Sequence, residues 1–146
     1  DVRRINHFLK VYGFAKAIGE MEGLDEISQE ILEIAALTHD IGIKNSEKKY
    51  NSSSGNYQQI EGPPEAKKLL EGLGIELSVI DRVCWLIAHH HIYTDINDND
   101  YQILVEADFL VNAFEDNLSS KAILSFKDKV FKTDSGTNMF NNMYLS

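Results

Sequence analysis

Four residues of this chain carry side chains that hold divalent metals well: His7, the adjacent pair His39 and Asp40, and Asp108. Neutral imidazole and carboxylate suit manganese, iron, cobalt, nickel, zinc or magnesium. The residue types do not choose among these ions, or between one ion and two per chain. A divalent ion lowers the pKa of a bound water toward about 7, which yields a nucleophile at neutral pH. The expected chemistry is therefore metal-assisted hydrolysis, with a phosphate ester as the first candidate.

Residues so far apart meet only if packed elements carry them. Ile5, Phe8, Leu9, Tyr12 and Ala15 recur at helical steps and predict a first helix with that apolar face. Gly23 breaks the pattern. Ile27, Ile31, Ile34, Ala35 and Thr38 predict a second helix running into His39-Asp40. Gly42 should end it through the left-handed conformation common after helices. Adjacent side chains on a helix point about 100° apart, and both can still reach one ion at the helix end.

Residues 44–60 are polar and include the run Ser52-Ser53-Ser54, which predicts a long loop, a candidate lid, beside the site. Gly62-Pro63-Pro64 should open a third helix, because proline suits the first helical turn, and Gly74 should close it. Leu77, Ile80, Val83, Cys84 and Ile87 predict a helix with His89-His90-His91 at its end. Tyr93 to Asn99 reads as a loop, Tyr101 to Phe114 as the helix of Asp108, and Ala122 to Phe131 as a last helix. Asp134-Ser135-Gly136 reads as a turn before an unpatterned tail. Phe126, Phe131, Phe140 and Tyr144 should pack either on the bundle or on a second copy in a homodimer.

No strand alternation or repeat interrupts this pattern. The expectation is an all-α, compact single-domain bundle over residues 1–146, with a core of about 5–132 and a tail of 133–146. Asp108 stands among Ile103, Leu104, Val105, Ala107, Leu110 and Val111, so it should face at least partly inward. An unpaired buried carboxylate is costly, and a metal ion would pair it. His39-Asp40 taken alone also reads as a helix end that favours a cation.

Bulk composition narrows the functions. At 43% hydrophobic and 25% charged, the chain has the balance of an ordinary globular protein. No apolar run approaches the roughly 20 residues of a membrane-spanning helix, so no membrane partner is expected. A net charge of -9 argues against strong nucleic-acid binding, which needs clustered Lys and Arg. It is compatible with a small phosphorylated substrate, since a bound cation dominates its local field. Cys84, the single cysteine, excludes an intrachain disulfide and fits a cytoplasmic location. The chain opens on Asp1 rather than Met, as if an N-terminal piece were missing.

The order His7, then His39-Asp40-Ile41-Gly42, then Glu106-Ala107-Asp108-Phe109-Leu110 resembles the HD superfamily of metal-dependent phosphohydrolases, from about His7 to Glu115. The resemblance implies an all-helical fold, one or two divalent ions, and hydrolysis of phosphomonoesters or phosphodiesters, often of nucleotides. It makes His7, His39, Asp40 and Asp108 the metal ligands. In two-metal branches of the family later histidines hold a second ion, and Leu86-Ile87-Ala88-His89-His90 resembles such a segment. Those branches also carry a histidine after the His-Asp pair. Here Tyr57-Gln58-Gln59-Ile60-Glu61 has none, leaving Glu61 as a substitute ligand. The cyclic-dinucleotide branch is disfavoured, because Ile43 precedes Lys44 and no Gly-Tyr-Pro segment follows.

The expected catalytic set is thus Asp40, with Lys44 and Arg4 contacting phosphate and His89 or His90 contacting phosphate or protonating the leaving oxygen. His91 is the least favoured of the triplet. The alternative reading is an HD-type nucleotide- or metal-binding regulatory module with little or no turnover.

Overall fold

A computed structural model describes residues 1–145, and these form eight helices without a strand. They are α1 (Val2–Met21), α2 (Glu26–Thr38), α3 (Ile43–Tyr50), α4 (Gly55–Gly72), α5 (Leu77–His89), α6 (Asn99–Glu115), α7 (Ser120–Val130) and α8 (Asp134–Tyr144). The all-α expectation holds.

The α1–α2 hairpin sets the first half of the site. Gly23 turns the chain at φ 73°, a conformation that favours glycine. Asp25 then caps α2, its carboxylate accepting from the Ser28 N–H at 2.8 Å. His7 and His39 each lie 16 residues from Gly23 in sequence, so folding back there brings the start of α1 to the end of α2. Small residues let the two helices approach. Ala15 is buried, and Gly19 faces α2, where a side chain would collide with Gln29 and Leu32.

The inward stripe of α1 is His7, Val11, Ala15 and Ile18. This corrects the expected face, for Ile5 and Leu9 are exposed. A polar residue at the head of the buried stripe disguised it, and the exposed apolar residues beside it mimicked a core face.

α6 runs through the centre, buried along nearly its whole length from Asp100 to Val111 and packed on α1, α2 and α8. A helix apolar on every side belongs in a core. Two of its buried carboxylates are satisfied within the protein. Asp100 takes a two-pronged ion pair from Arg82 at 2.8 and 2.9 Å. Glu106 accepts from Gln102, the backbone N–H groups of Lys132 and Thr133, and the Thr133 hydroxyl.

Three expectations are corrected here. Residues 44–60 are not a long loop. They contain α3 and the start of α4, with only 51–54 between the helices. The segment looked polar because its inward contacts use small or polar residues, Ser46, Gln58 and Glu61, in place of apolar ones. Stacking of Tyr50 on Tyr57, with ring centres 4.2 Å apart, holds the two helices together.

Secondly, Pro63 and Pro64 lie inside α4 rather than opening it. Each removes one helical N–H donor, but packing of α4 on α5 carries the helix through. Thirdly, the supposed tail forms α8. Thr133 caps it, its hydroxyl accepting from the Gly136 N–H at 2.9 Å. Phe140 is fully buried, Phe126 stacks on Phe109, and the Tyr144 hydroxyl donates to the Leu110 carbonyl at 2.6 Å. These aromatics pack on the bundle, which removes the support they lent to a homodimer.

Gly42 is needed for a different reason than the one expected. Its φ is -78°, an ordinary helical value. A Cβ there would lie 2.5 Å from the Gly62 nitrogen, so Gly42 allows backbone-to-backbone contact between the head of α3 and α4.

Candidate metal centre

The ends of α1, α2 and α5 and the middle of α6 meet at one point. His7 Nε2 lies 3.2 Å from Asp40 Oδ2, 3.2 Å from Asp108 Oδ1 and 3.3 Å from His39 Nε2. His39 Nε2 lies 3.3 Å from the same two carboxylate oxygens. Asp40 turns its other oxygen, Oδ1, toward His90 Nε2 at 3.6 Å. Two clusters that could hold a divalent ion result: His7, His39 and Asp108, and His39, Asp40 and His90.

The orientation of each imidazole is fixed from behind. The Nδ1–H groups of His39 and His90 donate to the carbonyls of Ala36 at 2.8 Å and Ile87 at 2.7 Å. His7 Nδ1–H donates to Glu115 Oε1 at 2.6 Å. With Nδ1 engaged, each ring presents Nε2 to the centre. Partners of this kind orient metal-binding histidines and raise their basicity.

The donor set fits an ion. Two ligands about 2.1 Å from one metal and 90–109° apart stand roughly 3.0–3.4 Å from each other. The separations of 3.2 and 3.3 Å around His7 and His39 fall in that range. His90 Nε2 and Asp108 Oδ1 are buried without a hydrogen bond. Buried polar atoms are seldom left so, and a cation would satisfy both.

Protons occupy this cluster when metal does not. Burial pushes His7 down, but the Asp108 and Asp40 carboxylates beside it outweigh this and hold its pKa up at about 11. Burial likewise opposes the charge on His39, yet Asp40 and Asp108 lift it to about 9. Burial favours the neutral form of both carboxylates. The charge of His39 and the close approach of the other imidazoles prevail, holding Asp40 and Asp108 below the usual carboxylate range.

The other sequence candidates separate. His90 points inward because it continues the buried stripe of Val83, Leu86 and Ile87. His89 continues the stripe of Arg82 and Trp85. Its ring stacks on Trp85 at 3.9 Å and its Nδ1–H donates to the Trp85 carbonyl, so it stands outside both clusters. His91 lies against His90, ring centres 3.9 Å apart, and its Nε2 meets Gln58 Oε1 at 3.2 Å. Burial and the nearby His90 hold its pKa down at about 4. Glu61 joins neither cluster, and Lys49 Nζ pairs with it at 2.7 Å.

Arg4 and Lys44 line a cavity that reaches Asp40. Arg4 is paired with Glu47 and approaches Asp1 at 3.6 Å. Sequence reading missed Glu115. The available signal was its place seven residues after Asp108, two turns along one helix face, which lets one imidazole span both carboxylates.

The fold and this site define an all-helical protein with a His/Asp cluster that could hold a divalent metal. The family model described as HD domain matches residues 4–123, and the chain belongs to the HD-domain family. No curated protein and no solved structure matches the chain. HD domains typically bind divalent metals, in keeping with the clusters described above.

Proposed function

We propose that this protein hydrolyses a phosphomonoester or phosphodiester of a small molecule at a divalent metal centre held by His7, His39, Asp40 and Asp108, with His90 at the second oxygen of Asp40. The approach of the His7 and His39 Nε2 atoms, each within 3.3 Å of one oxygen of Asp40 and one of Asp108, carries this reading. The reading spans nucleotides, the class that the family resemblance implies, and other small phosphate esters.

The bound ion would supply Lewis-acid polarisation of a phosphoryl oxygen and a more acidic water. The chain's own residues do the rest. Asp40 is the least buried of the four and lines both adjoining cavities, so substrate approaches from its side. Lys44 and Arg4 face the same cavity as Asp40 and offset negative charge on phosphoryl oxygens. Arg4 would exchange Glu47 for phosphate. Glu115 holds His7 in place, and the Ala36 and Ile87 carbonyls hold His39 and His90.

The test is hydrolysis of p-nitrophenyl phosphate and bis(p-nitrophenyl) phosphate with Mn, Fe, Co, Ni, Zn or Mg supplied in turn. Metal-dependent turnover, lost in Asp40→Ala while the circular dichroism spectrum stays helical, is the expected result. Metal binding without turnover on either ester would favour a regulatory binding module instead.

A further inference from the structure

Asp40 borders two cavities of opposite character. One, of about 380 Å³, is lined by polar groups including Arg3, Ser53, Gln58 and Asn112, along with His7. The other, of about 580 Å³, has Ile5, Phe8, Leu37, Ile41 and Leu69 as its walls, and Arg4, Lys44 and Asp40 on the same lining. Its only uncharged polar side chain is Thr38, whose hydroxyl already donates to the Ile34 carbonyl at 2.7 Å. Ile41 and Leu69 also line an adjoining hollow of about 430 Å³, together with Leu73, Gly72, Glu65 and Lys68.

We infer that the larger cavity holds the alcohol portion of the substrate, and that this portion is an apolar alkyl or aryl group rather than a nucleoside. The inference rests on the phosphohydrolase reading. A nucleobase and ribose bring several donors and acceptors that these walls cannot match, and unmatched polar groups weaken binding. An alkyl chain or aromatic ring loses nothing there and gains burial. The charge pattern fits the same occupant. Arg4 and Lys44 share the lining with Asp40 and Asp1, and apart from Thr38 the remaining lining residues are all Ile, Phe or Leu. Hydrolysis would break the ester P–O bond, form a P–O bond to water oxygen, and release the apolar alcohol carrying one of water's protons.

This reading also accounts for the first helix. Ile5 is 46% exposed and Leu69 is 45% exposed, although both are large and apolar. Neither belongs to the core, and both wall the cavity beside Arg4 and Asp40.

The experiment compares hexylphosphonate with methylphosphonate for binding by calorimetry, with and without Mn2+. Hydrolysis of hexyl phosphate against adenosine 5′-monophosphate follows. The two phosphonates share a head group, so their ratio reads the cavity alone. Half-burial of five methylenes predicts about 30-fold tighter binding of the hexyl compound. Leu69→Asp and Ile5→Asp, both at half-exposed positions, should each abolish most of that gain with the helical spectrum intact.

Equal affinity for the two phosphonates would overturn the inference, as would faster hydrolysis of the nucleotide. A chain that sediments as a dimer, and as a monomer in Leu69→Asp, would overturn it by showing that a second copy covers this face. A 30-fold gain in binding with no hydrolysis of any ester would support the cavity assignment and refute the phosphohydrolase reading.

Discussion

Loading the centre with a divalent ion should release about two protons per chain at pH 7.5, because metal ligands must be deprotonated. His7 is held up at about 11 and His39 at about 9, so both carry a proton on Nε2 at that pH. For His39 the protonated fraction is about 97%, and for His7 it is higher still. An ion needs both lone pairs, so both protons must leave. The apparent association constant should then rise about a hundredfold per pH unit between pH 6 and 8. Calorimetric titration of metal-free protein with Mn2+, in buffers of different ionisation enthalpy, counts the protons directly. His7→Gln should lower the count to about one. Heats independent of the buffer, with an affinity flat across pH 6 to 8, would refute the account of a proton-filled cluster awaiting metal.

The same shifts set the pH profile of metal-free stability. The depressed Asp40 and Asp108 contribute above about pH 4 and lose that contribution as pH falls further. The raised His7 and His39 contribute fully below about pH 6.5 and lose it as pH climbs through about 9 and about 11. Thermal melts of metal-free protein should therefore weaken on both sides of about pH 4–6.5, and Mn2+ should remove the alkaline loss. Glu115→Gln should cut metal affinity about 10–100-fold while leaving the fold intact, as measured by metal titration and circular dichroism. Gly42→Ala should cost about 1–3 kcal/mol by chemical denaturation, since its Cβ would lie 2.5 Å from the Gly62 nitrogen. Gly13→Ala, with nothing within 4 Å of its Cβ in mid-helix, should instead stabilise by up to about 1 kcal/mol.

The parts of the fold legible in the sequence were those whose burial is apolar. α2, α5 and α6 announce themselves through Ile, Leu and Val at helical spacing, and Asp108 was conspicuous as a carboxylate inside such a run. α3 and the first turns of α4 were illegible because their inward contacts are Ser46, Gln58 and Glu61, and the Ser-rich link between them suggested a longer loop. α8 was missed because its attachment runs through a buried carboxylate, Glu106, to Thr133 and the backbone at the head of the helix. The chosen face of α1 was wrong because Leu9 is exposed and Ile5 lines a cavity rather than the core.

At the site, spacing alone could not tell His89 from His90. Extending the stripe of Val83, Leu86 and Ile87 by one turn selects His90. Glu115 was legible only in principle, two turns past Asp108, because its role depends on where α1 crosses α6. The close approach at Gly42 depends likewise on Gly62, 20 residues away, and no local pattern records it.

The central claim is that His7, His39, Asp40 and Asp108 form one metal centre. Elemental analysis of purified protein after reconstitution, beside Asp40→Ala and Asp108→Ala, tests it most directly. The account predicts one or two divalent ions per chain, with binding lost in both variants while the helical spectrum is kept. Failure of the wild type to take up any ion, or full retention of metal by either variant, would contradict it.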